Sequence, residues 1–183
     1  IAEARELVAG GVKEIVLIGQ DTGIWGKDFK DQVDGPANLA QLLVALAEEL
    51  RPQHVWIRVL YLQPEGMTGE LIAAIRDTPE VLPYIDIPVQ HCNERVLKSM
   101  HRSGSEQQLD ELFARLRSEI PGMVIRTTSL VGFPGETDEE AEQMLAFMDR
   151  NSFDYTSVFA YSREEGTRAA EMDDQVDEDV KLE

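Results

Sequence analysis

Apolar residues recur at helical spacing in several stretches of the chain. The clearest stretch is 39–50, where Asn38 precedes the apolar face as a candidate N-cap and Pro52 follows it as a stop. The same periodicity predicts helices after Ser105 and Thr137, which begin with the capping-box sequences S-x-x-Q and T-x-x-E. Shorter helices are predicted for residues 1–9, 68–76 and 93–101.

Short apolar runs rich in β-branched residues lie between these helices and predict strands. They begin at Glu14, His54, Tyr84, Met123 and Phe153, so their starts are 40, 30, 39 and 30 residues apart. This spacing accommodates one strand, one helix and their loops. Regular alternation of this kind is typical of a parallel sheet with right-handed crossovers, and the sequence therefore predicts an α/β fold.

Both ends of the chain depart from the alternation. The first predicted helix has no strand before it, and we expect a first strand and its loop to lie upstream. Residues 162–183 contain nine acidic and three basic residues and are predicted to form a solvated acidic linker. The expected organisation is one β/α domain over 1–161, followed by this linker.

Charge and composition limit the kinds of partner that we expect this chain to bind. The chain has 17 basic and 35 acidic residues, a net charge of −18, which argues against direct nucleic-acid binding by this segment. No run of apolar residues is long enough to predict a membrane span. A single cysteine, Cys92, cannot form an internal disulfide, so we expect a reducing compartment, the cytoplasm.

Polar residues follow several predicted strands, at the carboxyl ends where parallel β/α folds collect reactive groups. Gln20 and Asp21 follow the first strand, Gln90 and His91 the third, and the sequence GFPGET around Gly132 the fourth. Such groups suit a neutral or zwitterionic small molecule. The Asp21 carboxylate, for example, suits the amino group of such a molecule.

Each of these groups also has a plainer explanation. Gln20 and Asp21 serve equally as ordinary polar loop residues. Arg58 and Arg126 lie in predicted strands and form either structural ion pairs or a carboxylate clamp. The GFPGET sequence lacks the lysine and the spacing of a nucleotide phosphate loop, so a tight glycine turn or a ligand against bare backbone explains it better.

The adjacent pair His91 and Cys92 admits three interpretations: a metal site, a nucleophile with its base, or a coincidence. A metal needs about four ligands, and only His54 and His101 remain as further histidines. Consecutive residues at a strand end also point apart, which disfavours a nucleophile–base pair. Cys92 is therefore predicted to fill space before Asn93, the N-cap of the next helix.

The strand-end segments, taken in order, closely resemble the radical S-adenosylmethionine methylthiotransferase family. The similar segments are EIVLIGQDTGIWGKDF, WIRVLYLQPEGMTGELI, YIDIPVQHCNERVLKSMHR, VIRTTSLVGFPGETDEE and FDYTSVFAYSREEGTRAA. GQDT, LYLQPE and YSREEGT are more similar to the branch that modifies an aspartate of a small-subunit ribosomal protein than to the branch that modifies a tRNA adenosine.

The resemblance implies a partial, open TIM-type (β/α) barrel, of which this chain holds the later five of six units and lacks the first strand and the cluster loop. It implies S-adenosylmethionine and two 4Fe-4S clusters as cofactors of the parent protein, with cluster ligands outside this chain, and a TRAM domain beyond the acidic linker. No catalytic or metal-ligating residue is expected here. Cofactor contacts are carried over to Gln20, Asp21, Gln90, His91, Arg126 and Gly132.

The function implied for the parent protein is methylthiolation of an aspartate β-carbon, with a small-subunit ribosomal protein as substrate. The chain alone is expected to be inactive because it lacks the cluster cysteines. Two alternatives remain open: a tRNA adenosine methylthiotransferase, and a β/α module that only binds a protein or a small molecule.

Overall fold

The computed structural model describes residues 1–29 and 34–182, in which one or two helices lie between successive strands. The longer elements are α1 (Ala2–Ala9), β1 (Glu14–Leu17), α2 (Leu39–Leu50), β2 (Trp56–Val59), α3 (Gly69–Asp77), β3 (Tyr84–Asp86), α4 (Glu94–Ser99), α5 (Glu106–Glu119), β4 (Val124–Val131), α6 (Asp138–Asn151) and β5 (Tyr155–Ala160). Single 3-10 turns span Thr22–Ile24, Arg51–Gln53, Pro64–Gly66, Ala169–Glu171 and Val180–Leu182. No helix in the described ranges is both long and apolar enough to cross a membrane.

Side-chain caps begin the helices where the sequence pattern predicts. The Asn38 side chain accepts the Gln41 N–H at 3.0 Å at the start of α2. At the start of α6, Thr137 and Glu140 form a complete reciprocal capping box. Capping satisfies backbone N–H groups that have no partner inside the helix, which is why these short sequence signals locate helix starts well.

The described residues form two compact units. The amino-terminal unit comprises residues 1–87 and 115–125, and the carboxyl-terminal unit comprises 88–114 and 126–182. The predicted division after residue 161 stays a prediction.

Parallel pairing builds the amino-terminal unit. β1 pairs in parallel with β2, with Ile15 opposite Ile57, and Ile57 forms a further parallel bridge to Val81. Beyond the end of β2, the Leu62 N–H donates to the Asp86 carbonyl at 2.9 Å. α2 packs against α3. The core contains apolar residues that are at most 3% exposed, among them Leu43, Leu46, Leu50, Ile57, Ile72 and Ile75.

Parallel pairing also builds the carboxyl-terminal unit. β4 pairs with β5 from Arg126 opposite Tyr155 to Val131 opposite Ala160. The unit also contains an aromatic cluster, in which the Phe113 ring centroid lies 4.9 Å from that of Phe153 and 6.3 Å from that of Phe147. The predicted α/β class with parallel strands is confirmed in both units.

The acidic segment is irregular but not wholly detached. Its described acidic side chains, which run from Glu164 to Asp179, are exposed, and Glu183 lies outside the described residues. Lys181, in contrast, has a side chain that is 2% exposed, and its Nζ donates to the Tyr161 carbonyl at 3.0 Å and lies 2.6 Å from Glu178. One buried lysine therefore holds the end of the segment against the unit.

We expect Phe147→Ala to lower the free energy of unfolding by about 3–5 kcal/mol, because removing a large buried ring leaves a cavity. Phe147 is 0% exposed, whereas Leu145 on the same helix is 65% exposed. Leu145→Ala is the matched control and should change stability by no more than about 0.5 kcal/mol. Chemical denaturation followed by circular dichroism measures both. Equal effects of the two variants would contradict the assignment of this helix face.

Candidate functional site

The loops that follow β1 and β2 are joined through glycine. A Cβ placed on Gly23 would lie 3.1 Å from the Gly66 Cα, so the two backbones meet with no room for a side chain. Thr22 adds two hydrogen bonds: its N–H donates to the Tyr61 carbonyl at 3.0 Å and its hydroxyl to the Leu60 carbonyl at 2.7 Å. This junction holds the loop that carries Gln20 and Asp21. In the sequence, only the glycines of TGIWG and PEGMTG indicated this junction between the two loops.

Gln20 and Asp21 differ in environment. Gln20 is exposed, whereas Asp21 is half-buried. The Asp21 Oδ1 atom is buried and accepts no hydrogen bond from the described part of the chain. A buried carboxylate oxygen without a donor is costly. Asp21 therefore fits the prediction of a group that receives an amino group from a ligand.

Arg58 forms a structural ion pair. Its Nε donates to Glu14 Oε1 at 2.5 Å, and its guanidinium carbon lies 4.5 Å from the centroid of the Tyr84 ring. Of the two explanations that the sequence left open for Arg58, these contacts support the structural one.

Arg126 lies near the beginning of β4, half-buried and opposite Tyr155 in the strand register. Gly132 follows the other end of the same strand. Because a strand rises about 3.3 Å per residue, the structure does not bring Arg126 to the carboxyl end of β4 where Gly132 lies. A contact between Arg126 and a cofactor stays a prediction.

Gln90 is held in an unusual backbone conformation. Its φ is +66°, in the left-handed region that few residues other than glycine adopt. The Gln90 N–H donates to the Thr128 carbonyl at 3.0 Å, and the Leu130 N–H donates to the Gln90 carbonyl at 2.8 Å. Such strained conformations are common at functional sites, but a contact between Gln90 and a cofactor stays a prediction.

His91 lies inside the carboxyl-terminal unit, with a side chain that is 0% exposed. Its Nδ1 accepts the Asn93 N–H at 2.9 Å, so the neutral ring carries its proton on Nε2. That nitrogen lies 3.4 Å from Glu136 Oε1, and Glu136 Oε2 accepts the Phe133 N–H at 3.0 Å. His91 and Glu136 thus lie side by side in the loops after β3 and β4, although neither Nε2 nor Oε1 forms a hydrogen bond with a described residue. Sequence reasoning missed Glu136, although it lies within GFPGET.

Gly132 meets the conformational demand that its sequence context predicts. Its φ is +71°, and a Cβ there would lie 2.4 Å from Lys181 Cγ. A tight glycine turn is therefore one reason for this residue, and the alkyl chain of Lys181 occupies the space next to its backbone. Approach of a ligand to the same backbone stays a prediction.

Cys92 is a buried, protonated thiol. It is 0% exposed, and burial, with a smaller contribution from the Glu106 carboxylate, raises the pKa of Cys92 to about 12. The prediction that it fills space before the Asn93 cap is consistent with this burial.

Within residues 1–29 and 34–182 no group of three or more His, Cys, Asp or Glu is arranged to hold a metal ion. The described residues therefore do not fit a 4Fe-4S cluster, which requires soft thiolate ligands.

A cavity of about 820 Å³ lies beside Gln90 in the carboxyl-terminal unit. Leu130 and Phe133 provide part of its apolar wall. Its ionisable lining residues are Lys98, His101, Arg102, Arg168 and Glu171. Sequence reasoning missed this basic cluster, because its members come from the end of α4 and from the acidic segment. We name it the basic cavity.

Comparison with known proteins defines the class of this chain. The profile of the Radical SAM superfamily matches residues 1–148, so the chain belongs to this superfamily. The methyltransferase TsrM from Kitasatospora setae, a radical S-adenosylmethionine enzyme, is similar in structure, with a TM-score of 0.69 and 14% identity over 89% of this chain and 30% of that chain. Coproporphyrinogen III oxidase (HemN) from Escherichia coli has a TM-score of 0.63 and 21% identity over 79% of this chain and 34% of that chain. Identities this low show the shared fold alone.

Curated relatives identify a narrower family, within the superfamily, that the chain resembles. The protein named ribosomal protein uS12 methylthiotransferase RimO from Geotalea uraniireducens is 51% identical over 100% of this chain and 40% of its own length. Its namesake from Geobacter sulfurreducens is 49% identical with the same coverage. The chain thus spans about two fifths of these relatives. The resemblance to the methylthiotransferase family is confirmed.

We expect the Cys92 thiol of the folded chain to resist an aromatic disulfide reagent at pH 8. A pKa of about 12 leaves almost no thiolate at that pH, and the rate should be about a thousandfold below that of an ordinary exposed cysteine. After denaturation one thiol per chain should react at once. Absorbance of the released thiolate measures both rates, and Cys92→Ser is the blank. Rapid reaction of the folded chain would contradict the burial of this thiol.

We expect Gly132→Ala to destabilise the protein by about 1–3 kcal/mol, through its positive φ and through the clash with Lys181. Lys181→Ala removes the clash but not the backbone strain. The double variant should therefore be more stable than the sum of the single effects implies. Chemical denaturation of the four proteins measures this coupling. Simple additivity would show that the two residues are not in contact.

Proposed function

We propose that the protein containing this chain is a radical S-adenosylmethionine methylthiotransferase that modifies the β-carbon of an aspartate in a small-subunit ribosomal protein. The supporting observation is the identity of 51% and 49% over the whole chain to two relatives named uS12 methylthiotransferases. The superfamily match over residues 1–148 supports the class of chemistry independently.

We infer that the chain forms part of an open TIM-type barrel, with residues 162–183 as a linker toward a TRAM domain. Parallel pairing of β1 with β2 and of β4 with β5 supports the barrel, since its strands are all parallel. The chain holds one cysteine. The thiolates of both proposed 4Fe-4S clusters therefore belong to other parts of the protein.

S-adenosylmethionine, when bound with its cluster, supplies the radical chemistry. The residues of this chain bind the cofactor and orient it. In the amino-terminal unit, Asp21 Oδ1 would accept a hydrogen bond from the amino group of the ligand. In the carboxyl-terminal unit, the Gln90 amide supplies a polar contact at a strand end. The buried pair of His91 and Glu136 holds the two neighbouring loops in position. Cofactor contacts of Gln20, His91, Arg126 and Gly132 remain proposals from the family resemblance.

Charge supports a basic protein as substrate. The net charge of −18 and the exposed acidic side chains of residues 164–179 attract a basic ribosomal protein and repel free nucleic acid. A ribosomal substrate also supports the proposal of a cytoplasmic enzyme.

Product analysis tests this function. We expect the full-length protein, reconstituted anaerobically with iron and sulfide and given S-adenosylmethionine and a reductant, to form methylthio-aspartate on the ribosomal protein. Mass spectrometry of the protein and of tRNA from the same reaction identifies the product. Methylthio-adenosine in the tRNA would show the other branch, and failure to cleave S-adenosylmethionine would refute the class.

The isolated chain of residues 1–183 is the matched control in that reconstitution. It should bind no 4Fe-4S cluster, because its one cysteine is buried and protonated. One full cluster per chain, measured by absorbance and iron content, would contradict the assignment of the ligands to other parts of the protein.

A further inference from the structure

The charged side chains that line the basic cavity are mainly cations, whereas the chain as a whole is acidic. The chain as a whole has a net charge of −18. The basic cavity, in contrast, is lined by Lys98, Arg102, Arg168 and His101, with Glu171 as the one carboxylate among its described lining residues. A concave, partly apolar surface with several cations fits a small ligand that bears a negative charge.

Two of these cations have no carboxylate partner among the residues that the structure describes. Seven arginines elsewhere form ion pairs with acidic residues: Arg5, Arg51, Arg58, Arg76, Arg95, Arg115 and Arg150. Neither Lys98 nor Arg168 forms an ion pair with any described residue, although the chain has 35 acidic side chains. Glu171 lines the same cavity without pairing with either cation. Both charges therefore remain available to a ligand.

A histidine orients the Arg168 guanidinium. Arg168 Nη1 lies 3.1 Å from His101 Nε2, and because a guanidinium only donates, the ring nitrogen accepts. The Nε and Nη2 groups of Arg168 donate to no described residue. They form the planar fork that matches a carboxylate.

The position of His101 adds to this assignment. Its φ is +57°, just beyond the end of α4, where glycine is the usual residue. The backbone is held there by hydrogen bonds from His101 N–H to the Lys98 carbonyl at 3.1 Å and from Arg102 N–H to the Leu97 carbonyl at 2.8 Å. A histidine at this strained position places its ring against Arg168.

We propose that Arg168, oriented by His101, binds the side-chain carboxylate of the substrate aspartate and selects an acidic side chain. This inference rests on the proposed function. The carboxylate is bonded directly to the β-carbon that reacts, so holding it fixes the reacting atom. Gln90, a predicted cofactor contact, lines the same cavity. The apolar wall of Leu130 and Phe133 suits the short hydrocarbon part of the side chain.

The test compares full-length wild-type protein with Arg168→Gln and Arg168→Lys. A fluorescein-labelled peptide carries the target aspartate of the ribosomal protein, and a second peptide carries asparagine there. Arg168→Gln should weaken binding of the aspartate peptide about tenfold to a hundredfold, measured by fluorescence anisotropy, and should raise KM more than it lowers kcat. It should also bind the two peptides almost equally. Arg168→Lys keeps the charge but not the fork and should restore binding only in part.

Arg5→Gln is the matched control, since Arg5 is an exposed arginine that pairs with Glu49 in the amino-terminal unit. It should bind the aspartate peptide as the wild type does. Unchanged peptide selectivity in Arg168→Gln would overturn the inference. A loss of affinity for S-adenosylmethionine with unchanged peptide affinity would also overturn it, because that result would assign the cavity to the carboxylate of the cofactor. If the wild type itself forms no methylthio-aspartate, the proposed function fails instead.

Discussion

Two backbone hydrogen bonds between Gln90 and β4 organise the strand-end region of the carboxyl-terminal unit. They run from Gln90 N–H to the Thr128 carbonyl and from Leu130 N–H to the Gln90 carbonyl, and they hold Gln90 at a positive φ. The chain then turns sharply, which buries His91 and places Asn93 at the start of α4. The contact of His91 with Glu136, the start of α4 and one wall of the basic cavity all depend on this turn.

Charge is distributed unevenly in this acidic protein. Most arginines on its surface pair with carboxylates, and exposed pairs of this kind contribute little to stability but neutralise local charge. The basic cavity is different because Arg168 contacts a histidine in place of a carboxylate. A guanidinium without a carboxylate partner among the described residues of so acidic a chain is better placed to bind an anionic ligand than to stabilise the fold. The uneven distribution also separates an exposed acidic surface from a cavity whose charged lining residues are mainly cations.

Local signals in the sequence predicted much of the fold. The caps at Asn38 and Thr137 and the spacing of the apolar runs located the helices and strands, because caps and periodicity act over a few residues. Strand-end position also led to the prediction of cofactor contacts for Asp21 and Gln90, which stay predictions. It did not reveal that the His91 side chain is fully buried, or that Arg126 lies at the far end of β4 from Gly132. Those facts depend on where each strand begins and on which loop covers it.

The sequence by itself determined the α/β class, the order of the elements and the resemblance to a family, since each rests on residues close together in the chain. Only the tertiary structure decided which distant residues meet. Lys181 lies against Gly132, and Arg168 against His101, although 49 and 67 residues separate the partners. Such contacts depend on how strands and loops pack. For that reason the acidic segment, which the sequence predicts to be a solvated linker, supplies Arg168 to the basic cavity.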